Sequence, residues 1–158
     1  MKTHKKLVAI TLALSVFTFT VQADPVYWTD WQSIDSASSA SGQLEVNGNL
    51  IDIEYSGTSN HSFVQLGAGT NYWTGSAYTN GNVDNAPTPS EQIALATGGT
   101  VTINFGSAVE DVFIALNSWN NNTVEFSAPI VFDSFGAGYW GNGTPNLIGN
   151  DGFFGNGE

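Results

Sequence analysis

The chain has no arginine, and its only lysines are Lys2, Lys5 and Lys6, whereas all fourteen Asp and Glu residues come later. Nucleic acids and anionic lipid surfaces are bound mainly through Lys and Arg side chains that neutralise phosphates. We therefore expect no nucleic-acid partner and no binding to anionic membranes. The carboxylates must be solvated, hydrogen-bonded to the backbone, or neutralised by cations such as calcium, which prefers several oxygen ligands.

Cysteine is absent as well. Its absence excludes a disulfide framework, a thiol nucleophile and a thiolate metal site. Segments of helical periodicity are missing after the amino terminus, while glycine, Asn, Ser, Thr and aromatic residues are frequent. This composition is typical of short strands joined by turns.

The amino terminus has the organisation of a secretory signal. A positive segment, Met1–Lys6, precedes the apolar run Leu7–Val21, and Val21-Gln22-Ala23 is a small-residue pattern that a signal peptidase accepts. The apolar run is short and rich in Thr for a membrane span. We predict a signal peptide at residues 1–23 and a secreted single domain at residues 24–158, which carries fourteen carboxylates and no Lys or Arg. An uncleaved anchor is the alternative.

The clearest local pattern is a β-hairpin at residues 43–55. Two alternating runs flank Asn47-Gly48, the pair that best supplies the positive φ angles of a tight hairpin turn. Because side chains alternate along a strand, Leu44, Val46, Ile51, Ile53 and Tyr55 are predicted to face the core. The same alternation places Glu45, Asp52 and Glu54 on the solvated face.

Further strands are predicted by alternation and by turn residues between the runs. They are Val26–Trp31, Ser62–Leu66, Thr100–Phe105, Asp111–Asn117, Thr123–Ser127 and Ile130–Phe135. The stretch 80–90, with Pro87 and Pro89, is predicted to be a long exposed loop. Many short strands without intervening helices favour an all-β fold, an antiparallel β-sandwich of jelly-roll type, with a barrel as the alternative.

Several aromatic and glycine blocks carry a family resemblance. They are Val26–Trp31, Asn71–Trp73, Pro87–Leu95, Gly98–Thr100, Ala115–Trp119 and Gly136–Gly141. Together they resemble a group of secreted bacterial proteins, many of which carry a carboxy-terminal PEP-CTERM sorting signal. The resemblance implies export, a β-sandwich, and association with the envelope or with exopolysaccharide. It supplies no catalytic residues.

Two features depart from that group. The chain stops at Glu158 without the further strands that such proteins usually have, and it has no Pro-Glu-Pro motif, apolar helix or basic tail. We therefore expect a sheet that is incomplete at the carboxy terminus. An unpaired strand edge would permit self-association.

Catalytic patterns are weak. His61, the only histidine after the signal, has no nucleophile-elbow motif near it, and a histidine-based zinc site is disfavoured because only one imidazole and no thiolate are available. A glycoside hydrolase needs a carboxylate pair at a fixed separation, and fourteen carboxylates will meet that distance by chance. The expectation is a non-enzymatic protein, with a carbohydrate-active hydrolase as the alternative.

Binding residues are predicted from aromatic rings and loop carboxylates. Trp and Tyr rings stack on the apolar faces of sugars without any positive charge, although most rings in a sandwich are core. The carbohydrate-binding candidates are Tyr72, Trp73, Trp119 and Trp140. The calcium candidates are Asp30, Asp111 and Asp151. Asp151 belongs to the segment 149–157, which is similar to one turn of a calcium-binding nonapeptide repeat but, as a single copy, is predicted to be a glycine-rich loop.

The composite expectation is an exported, non-enzymatic β-sandwich of the extracellular or envelope matrix that binds extracellular polysaccharide or calcium weakly. Apart from the hydrolase, the alternative is a structural matrix component that associates with itself through an edge strand.

Overall fold

The computed structural model describes residues 25–79, 83, 85–137 and 144–157. It contains nine strands, and a short 3₁₀ turn at Ser76–Thr79. The strands are β1 (Asp30–Ser36), β2 (Ser39–Val46), β3 (Asn49–Gly57), β4 (His61–Leu66), β5 (Glu91–Leu95), β6 (Val101–Phe105), β7 (Trp119–Glu125), β8 (Asn146–Ile148) and β9 (Gly152–Gly157). Within these ranges there is no α-helix, and hence no helix of the length and apolarity that a membrane span requires. The predicted signal peptide lies outside the described residues.

All strand pairs are antiparallel, and they form three sheets. The largest has the order β1-β2-β3-β6, a second consists of β4 and β5, and a third has the order β7-β9-β8. The predicted all-β antiparallel fold is confirmed.

The β2–β3 hairpin follows the predicted register. Val46 pairs with Asn49, and Asn47 and Gly48 form the turn with φ angles of 52° and 80°. Ile53 and Tyr55 are buried on the inner face, whereas Asp52 and Glu54 are exposed on the outer face. The local alternation of the sequence therefore determines which face of the sheet is solvated.

The core of the four-stranded sheet lies around Trp31 of β1 and Tyr55 of β3. The Trp31 and Tyr55 rings meet edge to face with centroids 6.4 Å apart, beside Ala40 and Ile53, which are both 1% exposed. Gly42 lies opposite Trp31, and a Cβ atom there would stand 2.2 Å from the Asp30 carbonyl oxygen. Only glycine allows β1 and β2 to approach this closely.

A second aromatic cluster lies on the three-stranded sheet. Phe153 of β9, which is 4% exposed, contacts the rings of Phe132, Trp119 and Phe126 at centroid distances of 5.2, 6.3 and 6.5 Å. Ring pairs of this kind add to the free energy of burial. Phe153 thereby connects the central strand of this sheet to the segment that follows β7.

The predicted strand Asp111–Asn117 is wrong. Positive φ angles at Asp111 and Ser118 (50° and 56°) bracket this segment, and they interrupt the continuous extended backbone that a ladder requires. The segment is instead held by hydrogen bonds outside any sheet. The Tyr78 hydroxyl donates to the Leu116 carbonyl, and the side-chain amides of Gln92 and Asn117 donate to each other.

Other boundaries also differ from the predictions. Ile130–Phe135 forms no strand, since the Ile130 N–H donates to the Asn150 carbonyl instead of joining a ladder. The first strand begins at Asp30 rather than Val26, and β5 was not predicted. The segment 149–157 is not a glycine-rich loop but a turn followed by β9, which pairs with both β7 and β8.

Tyr55 provides a test of this core. Its hydroxyl is buried and has no hydrogen-bond partner among the described residues, and burial raises the pKa of the phenol. Removing an unsatisfied polar atom relieves a desolvation cost, so Tyr55→Phe is expected to leave the free energy of unfolding unchanged within about 0.5 kcal/mol or to increase it. Denaturant unfolding measures the change.

Tyr78→Phe is the matched control, because the buried Tyr78 hydroxyl donates to the Leu116 carbonyl at 3.2 Å. It should cost roughly 1 kcal/mol. A loss in Tyr55→Phe as large as that in Tyr78→Phe would contradict the prediction.

Candidate functional site

An open groove of about 460 Å³ lies on the outer face of the four-stranded sheet. Its floor consists of polar side chains on β1 and β2, namely Asp30, Gln32, Gln43 and Glu45. Its walls are the segment 26–28, which carries Tyr27 and Trp28, and the segment 85–89. The groove therefore brings aromatic rings, amides and carboxylates to one surface.

A reciprocal amide contact holds the two walls together. The Asn85 side chain accepts from the Val26 N–H at 2.8 Å and donates to the Val26 carbonyl at 2.7 Å. The indole N–H of Trp28 donates to the Asn85 carbonyl at 2.9 Å. These three bonds join residues almost sixty positions apart, and they fix the Trp28 ring at the groove.

The second ring, Tyr27, is anchored through its hydroxyl. The hydroxyl donates to Oδ1 of Asn47, the first residue of the hairpin turn, at 2.7 Å. The residue as a whole is 42% exposed. One end of Tyr27 is thereby held in place while the remainder of the ring is available for contact.

The amide groups of the floor bind the carboxylates of Asp30 and Asp52. Gln32 Nε2 donates to Asp30 Oδ2 at 3.2 Å and to Gln43 Oε1 at 3.3 Å, and Gln43 Nε2 donates to Asp52 Oδ1 at 3.0 Å. Register explains the row, since Asp30 pairs with Gln43 and Gln43 pairs with Asp52. Neutral donors here occupy the place that Lys or Arg would take in most proteins.

Glu91, the first residue of β5, is 6% exposed. Its Oε2 accepts the Trp31 N–H at 3.0 Å, and its backbone carbonyl accepts the Trp73 indole N–H at 2.9 Å. Burial raises the pKa of the Glu91 carboxyl, and the charge of Asp30 raises it further, while the Trp31 hydrogen bond acts in the opposite direction. This residue joins β5 to β1.

The aromatic residues predicted to bind carbohydrate are not gathered at one surface. Trp73 is buried, and its ring meets Tyr78 edge to face at 5.2 Å. Tyr72 packs near Phe63, with ring centroids 6.3 Å apart, and Trp119 packs on Phe153 in the other aromatic cluster. Trp140 lies outside the described residues.

The predicted calcium ligands are also dispersed in the fold. Asp30 begins β1, Asp111 lies in the segment after β6, and Asp151 lies in the turn between β8 and β9. Across the described ranges no three His, Asp or Glu side chains come together as a metal-binding group.

His61 is held by the backbone of the β1–β2 turn. Its backbone N–H donates to the Ala37 carbonyl at 2.9 Å, and its ring Nδ1 contacts the same oxygen at 2.6 Å. Because a carbonyl can only accept, Nδ1 carries a proton. The two bonds tie β4 to the four-stranded sheet, which is a structural role.

The groove residues Tyr27, Trp28 and Asn85 were not among the predicted sites. Tyr27 and Trp28 belong to Val26–Trp31, for which the sequence predicts a strand, and Asn85 belongs to the stretch 80–90, for which it predicts an exposed loop. The pairing with Asn85 has no signal in the sequence, because it joins residues 26 and 85 across the fold.

Comparison with protein-family models, with curated proteins and with solved structures finds no match to this chain. The resemblance to the PEP-CTERM group stays a prediction.

Glu91 determines one pH dependence. Its raised pKa means that the folded state favours the protonated form, so this group stabilises the fold most at acidic pH, and its contribution is lost as pH rises through the folded pKa. Glu91→Gln retains an acceptor for the Trp31 N–H and removes the buried charge. We expect a melting temperature at pH 7 at least as high as that of the wild type, and a smaller gain on acidification.

The matched control is Glu110→Gln, an exposed residue that removes the same charge from the surface. Thermal melts at several pH values between about 4 and 8 compare the three proteins, because an ordinary Glu titrates near the acidic end of that range. If Glu91→Gln gained as much on acidification as Glu110→Gln, the buried carboxyl would not be the source of the dependence.

Proposed function

We propose that this protein is an exported, non-enzymatic all-β protein of the extracellular or envelope matrix, and that it binds glycan weakly in the groove between residues 26–28 and 85–89. One observation carries the proposal: two anchored aromatic rings border a floor of amides and carboxylates. Rings cover the apolar faces of a sugar, while the polar floor groups can bond to its hydroxyls.

Size and chemistry support a small or extended polar ligand. The groove volume of about 460 Å³ falls within the range of small-molecule sites. The site is more polar than a typical pocket for an apolar ligand, since four of its floor side chains carry amide or carboxylate groups. An open and polar groove suits a chain of sugar units better than a lipid.

Binding is favoured over hydrolysis. A glycosidase places a carboxyl group of raised pKa beside the scissile bond. Glu91 has the raised pKa, but it is buried, bonded to Trp31 and absent from the groove lining. Asp30 and Glu45 line the groove, and neither of them has the buried surroundings that produce a general acid.

Tyr27→Ala tests the groove. Loss of the exposed ring should weaken binding of a neutral oligosaccharide about five- to tenfold, which corresponds to roughly 1 to 1.4 kcal/mol. Tyr27→Phe retains the ring but loses the hydroxyl anchor to Asn47, so its affinity should fall between those of the wild type and Tyr27→Ala. Titration calorimetry, or chemical-shift titration for a weak ligand, measures the dissociation constants.

Tyr72→Ala is the control, because Tyr72 belongs to the aromatic pair Tyr72-Trp73 that the sequence predicts as a binding site. If Tyr72→Ala lost affinity and Tyr27→Ala did not, the binding surface would lie at β4 and not at the groove. Failure of the wild type to bind any neutral or amino glycan would contradict the proposed function. Release of reducing sugar ends in the same samples would favour the hydrolase.

A second candidate function is self-association of the matrix component through β6. In the part of the chain that the structure describes, β6 pairs only with β3, and its other edge has no strand partner. Val101 and Ile103 are 37% and 40% exposed, and β6 carries no charge. In an acidic chain, an uncharged strand edge is where two copies repel least, so the partner that fits is a second copy.

Thr102→Glu should reduce this association. Thr102 is exposed at the centre of β6, where β6 of the second copy would pair. A carboxylate at this position in both copies would introduce like charges along the interface. Light scattering after size exclusion should show a wild-type dimer whose population increases with concentration. In the variant, the dissociation constant of the dimer should be at least about fivefold higher. Thr123→Glu, on the edge strand β7, is the control. A wild type that stays monomeric at all concentrations would contradict this function.

A further inference from the structure

Most amide donors of the groove are already bonded within the protein, and this limits what the groove can recognise. In the floor, Gln32 Nε2 donates to both Asp30 and Gln43, which uses its two amide hydrogens. Gln43 Nε2 donates to Asp52, and Asn85 Nδ2 of the wall donates to the Val26 carbonyl, so each of these two amides keeps one further hydrogen. Few N–H groups therefore remain for a ligand.

The donors of the two aromatic wall residues also bond within the protein. The Trp28 indole N–H donates to the Asn85 carbonyl, and the Tyr27 hydroxyl donates to Asn47. By contrast, the carboxylates of Asp30 and Glu45 are exposed, and each carboxylate can accept several hydrogen bonds. The groove thus has a surplus of acceptors, and those acceptors are negatively charged.

A complementary ligand must be rich in donors and cationic. A protonated amine offers three hydrogens and one positive charge, which matches two exposed carboxylates. The exposed Tyr27 ring and the neighbouring Trp28 ring also attract a cation over their faces. A uronic acid or a sulfated sugar would meet like charge, and no Lys or Arg occurs after residue 6 to offset it.

We infer that the groove selects glycans with free, unacetylated amino groups over neutral and acidic glycans. This inference rests on the proposed glycan-binding function and names the class of sugar that the same site prefers. Asp30 and Glu45 bind the ammonium groups, and Tyr27 and Trp28 stack on the sugar rings.

Three trisaccharides of similar size test the preference: a glucosamine trimer, its fully N-acetylated counterpart and a galacturonic acid trimer. Binding to the intact protein is measured by calorimetry at about pH 6, where an amine is protonated, with chelator present so that no divalent ion bridges the partners. We expect the glucosamine trimer to bind at least about tenfold more tightly than the acetylated one, and the uronic acid trimer not to bind.

Asp30→Asn combined with Glu45→Gln removes both negative charges and should bring the ratio of the two affinities from about tenfold to near one, whatever the variant's absolute affinity for the acetylated trimer. The control pair, Glu110→Gln with Asp111→Asn, removes the same charge from the segment after β6, away from the groove lining, and should retain the preference. Circular dichroism melts verify that both double variants are folded. Loss of the preference in both pairs would show a general effect of net charge and would overturn the inference.

The remaining outcomes separate the two proposals. Equal binding of the glucosamine and acetylated trimers would overturn the amino-sugar preference and leave glycan binding intact. Binding of neither trimer would overturn both. Spermidine, a polyamine without sugar rings, completes the series: if it bound as tightly as the glucosamine trimer and depended on the same two carboxylates, the site would recognise cations in general and not amino sugars.

Discussion

The fold has to accommodate carboxylates without cationic partners, and this constraint governs its polar structure. Lysine is confined to the first six residues and arginine is missing, so amide groups, hydroxyls and backbone N–H groups bond to the acids instead. The Gln43 amide donates to Asp52, the Asn104 amide donates to Glu54, and the Trp31 backbone N–H donates to Glu91. Neutral donors satisfy the hydrogen bonds of the carboxylates but leave their negative charge in place. The described surface around each group of Asp and Glu residues is therefore anionic.

The groove follows from this arrangement. In a sheet with lysines on its outer face, Asp30 and Glu45 would form ion pairs with neighbouring strands. Here the amides bond to one another and to the acids along the floor, and the carboxylates keep accepting capacity. The aromatic walls owe their position to Asn85, because its side chain and carbonyl together hold both Val26 and Trp28. The sheet provides the chemistry of the site, and a distant loop provides its shape.

Sequence reasoning succeeded where structure is local. The hairpin at residues 43–55 depends on alternation and on Asn47-Gly48, and its turn, register and faces all agree with the prediction. It failed where a distant contact decides the outcome: residues 111–117 alternate like a strand, yet positive φ angles and bonds to Tyr78 and Gln92 hold them outside any ladder. The groove was missed for the same reason, since its walls meet only after folding.

The order of strands in the third sheet has a consequence for biosynthesis. Among the described strands, the last in the sequence, β9, is the central one of this sheet, and within the described residues β7 and β8 each pair with β9 alone. A nascent chain emerges from its amino-terminal end, so the β1-β2-β3 meander can form early from neighbouring strands, whereas β7 waits for residues about thirty positions ahead. During that interval the Phe132 and Trp119 rings lack their contacts with Phe153, so the apolar surface of this cluster is covered later than that of the meander.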